Sequence, residues 1–269
     1  EGNDIGSKLL FAGARFTLAG IMVLFIFLVK NKYLPKIEKN GIMPVMLLGS
    51  VQTFGQYIFT YIGIGFTSGA NTSVITACAT FFTVLFAPLF FKSDKLNICK
   101  IIGCVLGFCG VLCVNSGGGV TVDTLFGDFM ILMSTLSAAA GNFISKGIVR
   151  DREPISVTGF QLLFGGILLL IAGFVTGGKL DFSSIKGLLV LLWLAFVSAA
   201  AFAIWTALLK HHPASRICVF NLLVPVFGTL LSGIMLGESV FGIETIVSVV
   251  LICAGIFISN MQIKKRCER

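Results

Sequence analysis

The chain has 269 residues, of which 56% are hydrophobic and 12% charged, and its mean hydropathy is +0.99. A water-soluble domain carries about 25% charged residues, so too few charges exist to cover a water-facing surface, and a soluble globular fold is excluded. The formal charge of +8 fits either nucleic-acid affinity or the basic cytoplasmic loops of a membrane protein, and the placement of the cations decides for the loops.

A membrane-spanning helix needs about 20 apolar residues. Nine runs meet that length approximately: 9–30, 42–64, 70–91, 98–115, 126–146, 155–176, 187–209, 214–236 and 241–261. The first holds Arg15 and lacks a small-residue cleavage site, so it reads as a span and not as a signal peptide. The links are short and hold Gly, Pro, Ser, Asn or charges, as turns should. None has room for a soluble domain.

Lysine and arginine fall on alternate links. Sixteen lie on one side, in the clusters Lys30–Lys39, Lys92–Lys100, Lys146–Arg152, Lys210–Arg216 and Lys264–Arg269. Three lie on the other: Lys8, Lys179 and Lys186. The basic side is expected to be cytoplasmic, which puts the C-terminus inside and Glu1 outside. An external start without a signal implies an upstream first helix, ten in the full protein. The eight cysteines lie mostly inside or at the edge of apolar runs with no CxxC pair. They read as small apolar packing residues, not as a disulfide or metal framework.

The chain also resembles itself. At a shift of 145, residues 67–115 align without a gap on 212–260, matching Val74 to Val219, Phe82 to Phe227 and Gly110 to Gly255. At a shift of 146, Gly20, Ile21 and Leu24 fall on Gly166, Ile167 and Leu170. Matched spans are five apart, so they cross the membrane in opposite directions. That is the inverted-topology repeat of secondary transporters, whose substrate site lies near midplane between the halves. The expected fold is all-α and integral to the membrane, with nine visible transmembrane helices in two inverted repeats of five. The boundaries are 1–118 for the first repeat, lacking its first helix, and 119–269 for the second.

Three stretches carry a family resemblance: GARFTLAG at 13–20, GDFMILMSTLSAAAGNFISKGI at 127–148, and PVFGTLLSGIMLGESV at 225–240 followed by LICAGIFISN at 251–260. In order and spacing they resemble the EamA-type ten-helix carriers of the drug/metabolite transporter superfamily. The resemblance covers all nine spans. One position departs: the family often closes its fourth helix with an acidic residue, as Glu238 closes the ninth, whereas the register here gives Ser93 with Asp94 beside it. The resemblance implies that the second, third, fifth, seventh and eighth spans line a central cavity and that the fourth and ninth are peripheral.

Polar side chains in hydrocarbon are costly unless paired, so those near mid-span are the candidate substrate contacts. They are Gln52, Gln56, Tyr57, Thr76, Thr80, Asn142, Ser198, Trp205, Asn221 and Pro225. Each could equally join helices, since interhelical hydrogen bonds are common in bundles. Pro225 frees the carbonyl of Asn221, which reads either as a bend lining an aqueous cavity or as a packing kink. Arg15, six residues into its run, is expected to snorkel outward and act structurally. No carboxylate sits at mid-span to relay a proton, and no phosphate-binding lysine loop is present.

The reading is a secondary transporter, in the export direction by resemblance, for small metabolites such as amino acids across the cytoplasmic membrane by alternating access. A channel-like facilitator is the alternative, and a membrane-embedded enzyme a weaker one, because clustered acid, base or metal-binding residues are missing. Catalysis, metal and cofactors are not expected. The partners are a small-molecule substrate and the lipid bilayer, without nucleic acid, and a homodimer is left open.

Overall fold

The computed structural model describes residues 5–33, 35, 39–67, 69–91, 97–114, 122–180, 185–224, 227 and 243–260. Every described element is helical. In chain order they are α1 (Ile5–Asn31), α2 (Lys39–Leu48), a π-helical segment (Gly49–Gly55), α3 (Gln56–Gly63), α4 (Gly69–Phe90), α5 (Ile98–Val114), α6 (Val122–Val149), α7 (Pro154–Val175), α8 (Ile185–His211), α9 (Ala214–Cys218), a 3₁₀ segment (Val219–Leu222) and α10 (Ile243–Asn260). Among them Ile5–Asn31, Asn40–Gly63, Pro154–Val175 and Ile185–His211 are long and apolar enough to cross a membrane. Pro225, Glu238, Ser93 and Asp94 lie outside the described residues.

The ends of the helices follow local chemistry. Lys32 stops α1 with φ 58°, its amide bonded to the Leu28 carbonyl at 2.8 Å, the left-handed cap that ends many helices. Glu153 caps α7, accepting from the Ser156 amide at 2.6 Å, with Pro154 in the first turn. Gly177, at φ 78°, closes α7, and the Gly178 amide returns to the Gly173 carbonyl at 2.9 Å.

The chain forms two compact units, Glu1–Thr67 with Val122–His212 and Ser68–Thr121 with Pro213–Arg269. Each takes helices from both the 1–118 and the 119–269 segment. In the first unit α1 lies antiparallel to α7 along a seam of glycines. A Cβ at Gly13 would meet the Leu170 amide nitrogen at 2.5 Å, one at Gly20 the Leu163 nitrogen at 2.6 Å, and one at Gly159 the Leu24 side chain at 2.5 Å. As residue numbers rise on α1 they fall on α7. Around the seam Leu9, Phe16, Val23, Leu162 and Leu169 form the largest buried cluster, joined by Ala195 and Ala199 of α8.

In the second unit α5 lies antiparallel to α10, with Gly103 against Gly255 and Ser259, and Gly107 against Gly255. Val84, Cys104, Val219, Leu222 and Ile252 form its buried core. Cys104 and Cys218 are buried, in keeping with the packing role expected of them.

At one end of the first unit the cations gather. Lys146 Nζ donates to the His212 carbonyl at 2.8 Å and Lys210 Nζ to the Arg152 carbonyl at 3.0 Å. At the opposite end Lys179 donates its amide to Ser7 Oγ at 3.0 Å, and Thr67 pairs with Asp128.

Candidate functional site

The first unit buries two polar layers. The lower one begins with the π-helical segment. A π turn shifts the backbone pattern from i→i−4 to i→i−5 and is frequent at functional sites. Here the Gln56 amide reaches back to the Val51 carbonyl, which also accepts from Ser137 Oγ of α6 at 2.7 Å. The segment is bounded by glycines because its neighbours leave little room. A Cβ at Gly49 would sit 2.8 Å from the Gln161 carbonyl oxygen, and one at Gly55 3.1 Å from Ser137 Oγ.

Within this segment Gln52 is buried and holds three helices together. Its Nε2 donates to Asn142 Oδ1 of α6 at 3.2 Å, and its Oε1 accepts from Gln161 Nε2 of α7 at 2.9 Å. Asn142 Oδ1 also accepts from Trp205 Nε1 of α8 at 2.9 Å. Gly141 makes room for this, since a Cβ there would lie 2.5 Å from that of Gln52. Gln161 is fully buried, and its Oε1 finds no partner among the described residues. A buried acceptor left open costs about 1–3 kcal/mol. It is the one open acceptor of this network among the described residues.

The second layer joins α1 and α8. Arg15 Nε donates to Ser198 Oγ at 2.7 Å, and that hydroxyl donates to the Leu194 carbonyl at 2.8 Å. The Arg15 guanidinium carbon stands 5.1 Å from the Phe16 ring centroid. Phe16 packs at 4.4 Å against the Tyr57 ring and at 6.0 Å, edge on, against Phe202. The expectation that Arg15 snorkels outward is corrected. Helix α1 begins at Ile5, not Leu9, so Arg15 is roughly 15 Å along it at 1.5 Å per residue, and Ser198 is the central residue of α8. A charge at the bilayer centre costs about 2.5–3.5 kcal/mol on insertion scales. One interhelical hydrogen bond returns about 0.6 kcal/mol, and a cation–π contact about 0.5–1 kcal/mol at exposed sites and about 2 or more when desolvated. The observed contacts do not plainly offset the charge.

Of the residues expected at the site, Gln52, Asn142 and Trp205 are brought into one network, and Ser198 joins Arg15. Tyr57 is half-buried against Phe16, and Gln56 is half-buried with its carbonyl accepting from Thr60 Oγ1 at 2.9 Å. Thr76, Thr80 and Asn221 belong to the second unit. Thr80 Oγ1 donates to the Cys218 carbonyl at 2.9 Å, where α9 tightens into the 3₁₀ segment that holds half-buried Asn221. Thr76 is exposed. Thr80→Val is expected to lower the melting temperature modestly, at about 0.6 kcal/mol for one such bond, as read by a thermal-shift assay in detergent.

Sequence reasoning missed Gln161 and the π segment. The signals were present: one amide inside the apolar stretch GFQLLFGG, and glycines at 49 and 55 on either side of Gln52. A shift of 146 carries Arg15 onto Gln161 and Gln52 onto Ser198. The shift of 146 thus relates the Arg15–Ser198 pair to the Gln161–Gln52 pair in sequence register.

The EamA-like transporter family model matches the chain twice, over residues 4–116 and 125–261. A protein of Salmonella typhimurium named probable amino-acid metabolite efflux pump is 29% identical, with 93% of this chain and 85% of that protein covered. The uncharacterized inner membrane transporter YedA of Escherichia coli is 27% identical over 93% of this chain and 81% of its own length. The uncharacterized transporter YetK of Bacillus subtilis is 24% identical over 95% and 79%. A crystal structure covering 94% of this chain and 88% of its own superposes with a TM-score of 0.83 at 18% identity, a likeness of fold.

Proposed function

The chain belongs to the EamA-like transporter family, and from that premise we propose that it is a secondary carrier exporting small metabolites such as amino acids across the cytoplasmic membrane by alternating access. The observation that carries the site assignment is the buried amide network of Gln52, Asn142, Trp205 and Gln161, with its one open acceptor. Gln161 is fully buried in the conformation described, and a solute that brings its own donor to Gln161 Oε1 completes the network when alternating access opens that layer. Apolar helices alone would offer it nothing.

Inverted repeats are part of the proposal. The pairs α1/α7 and α5/α10 are the helices matched by the shifts of 146 and 145, and each pair packs antiparallel. Antiparallel contact between equivalent helices is what a two-fold axis in the membrane plane produces. The same shift relates the two polar pairs, one on each side of that axis. In this reading the cluster of Lys146, Arg152 and Lys210 is the cytoplasmic end, and the C-terminus is inside. A fluorescent reporter fused after Arg269 is expected to light up in the cytoplasm, and an alkaline phosphatase fusion to stay inactive. The reverse pattern would overturn the orientation.

The test of the function is counterflow in liposomes holding the full-length protein. Preloaded amino acid is expected to drive saturable uptake of its labelled form. Flux that grows linearly with concentration and shows no counterflow would replace the carrier with a channel-like facilitator.

A further inference from the structure

We propose that Arg15 is the anchor for a carboxylate of the transported solute. The inference rests on the carrier reading above and names the charge class of its substrate.

The corresponding position in the other half shows what joining these helices requires. There Gln161 and Gln52 link α7 to the π segment with neutral amides, both side chains buried. A charge is unnecessary for the link. At Arg15 one of the five guanidinium donors is used, Nε on Ser198. No carboxylate lies within ion-pair reach of it among the described residues. The four remaining N–H groups sit on two nitrogens in a planar fork, the shape that matches a carboxylate with two parallel bonds. Ser198 fixes one edge of that fork and the Phe16 ring supports its face. Arg15 is half-buried, which leaves part of its side chain open to a partner, while Phe16 beside it is fully buried in the core of α1. A desolvated cation of this kind gains from an anionic partner and rejects a neutral isostere.

The Arg15 and Gln161 layers are separated by roughly 10 Å along the helix axis, from seven residues at 1.5 Å each. A solute of amino-acid size therefore meets one layer at a time. Arg15 sets the charge that is accepted, and the amide layer is met separately.

The experiment uses full-length protein in liposomes, with labelled counterflow of the twenty standard amino acids. For those that exchange, unlabelled acid and its carboxamide are compared as competitors. Wild-type protein is expected to prefer the acid by about 10–100-fold, as for loss of a charge-assisted bond pair. Arg15→Gln is expected to raise KM for the acid by a similar factor and to erase the preference, with kcat changed less. Arg15→Lys, which keeps charge but not the fork, is expected to fall between. Exchange in which acid and carboxamide compete equally in the wild type overturns the anchor and leaves the carrier standing, and so does a preference that survives in folded Arg15→Gln. If no amino acid exchanges, the amino-acid carrier reading and the anchor fall together. The wild-type comparison decides even if the variants do not fold.

Discussion

Asn142→Leu is expected to abolish counterflow and to destabilise the protein by about 2–4 kcal/mol. Asn142 Oδ1 is the acceptor for both Gln52 Nε2 and Trp205 Nε1. Leucine has the same branched shape with four side-chain heavy atoms and is somewhat larger, so no cavity opens, but two donors lose their partner. Each buried donor left open costs about 1–3 kcal/mol, and Gln52, at 5% exposure, cannot turn to water. Transport suffers because Gln52 also holds Gln161 in place, and with Gln52 released the Gln161 acceptor loses its aim. Unfolding in denaturant, followed by tryptophan fluorescence, measures the first effect, and initial counterflow rates measure the second. Normal kinetics in Asn142→Leu would remove the amide network from the transport site.

Gly166→Leu is expected to eliminate folded monodisperse protein altogether. A Cβ at this position would meet the Thr17 amide nitrogen at 2.5 Å and the Phe16 carbonyl carbon at 2.9 Å. These are backbone atoms of the opposing helix and cannot rotate away. Overpacking a core that can adjust costs about 1–3 kcal/mol; parting two helix backbones along their whole seam exceeds that. Gly147→Ala is the matched control, since an added Cβ there has nothing within 4 Å. It is expected to stay within about ±0.5 kcal/mol or to gain slightly from better helix propensity. Size-exclusion profiles of the two variants in detergent separate these outcomes. A monodisperse Gly166→Leu would mean that the α1–α7 seam is not the packing centre of its unit.

Much of this was legible in the sequence, for an identifiable reason. Period and composition are local properties, so apolar runs located the helices from α1 to α8; α4, α5 and α7 match their runs to within one residue, and α1, α6 and α8 extend a few residues beyond theirs. Among the added residues, Ser7 of α1 accepts from the Lys179 amide and Lys210 of α8 donates to the Arg152 carbonyl. The shift of 146 lines α1 up with α7 in sequence, and the glycines it matches, Gly20 and Gly166, stand where those two helices touch. The amides Gln52 and Asn142 stood out as polar groups in apolar runs, which is a cost that must be met somewhere.

The partner that meets each cost was not legible. Gln52 could have bonded any of several helices, and Thr80, equally conspicuous in sequence, spends its hydroxyl on a carbonyl at a helix irregularity. Arg15 looked shallow because the apolar run was counted from Leu9, whereas the helix begins a turn earlier. Composition, periodicity and charge placement by themselves determined a helical membrane chain with a basic side and an internal shift, since each of these depends on one stretch at a time. Tertiary structure alone decided that the π segment turns Gln52 toward Asn142 and Gln161, that Gln161 keeps an open acceptor, and that Arg15 meets Ser198 near mid-span. These depend on which helices lie against one another, and hydrogen bonds are short and directional, so a side chain's role is fixed only when its neighbour across the helix interface is known.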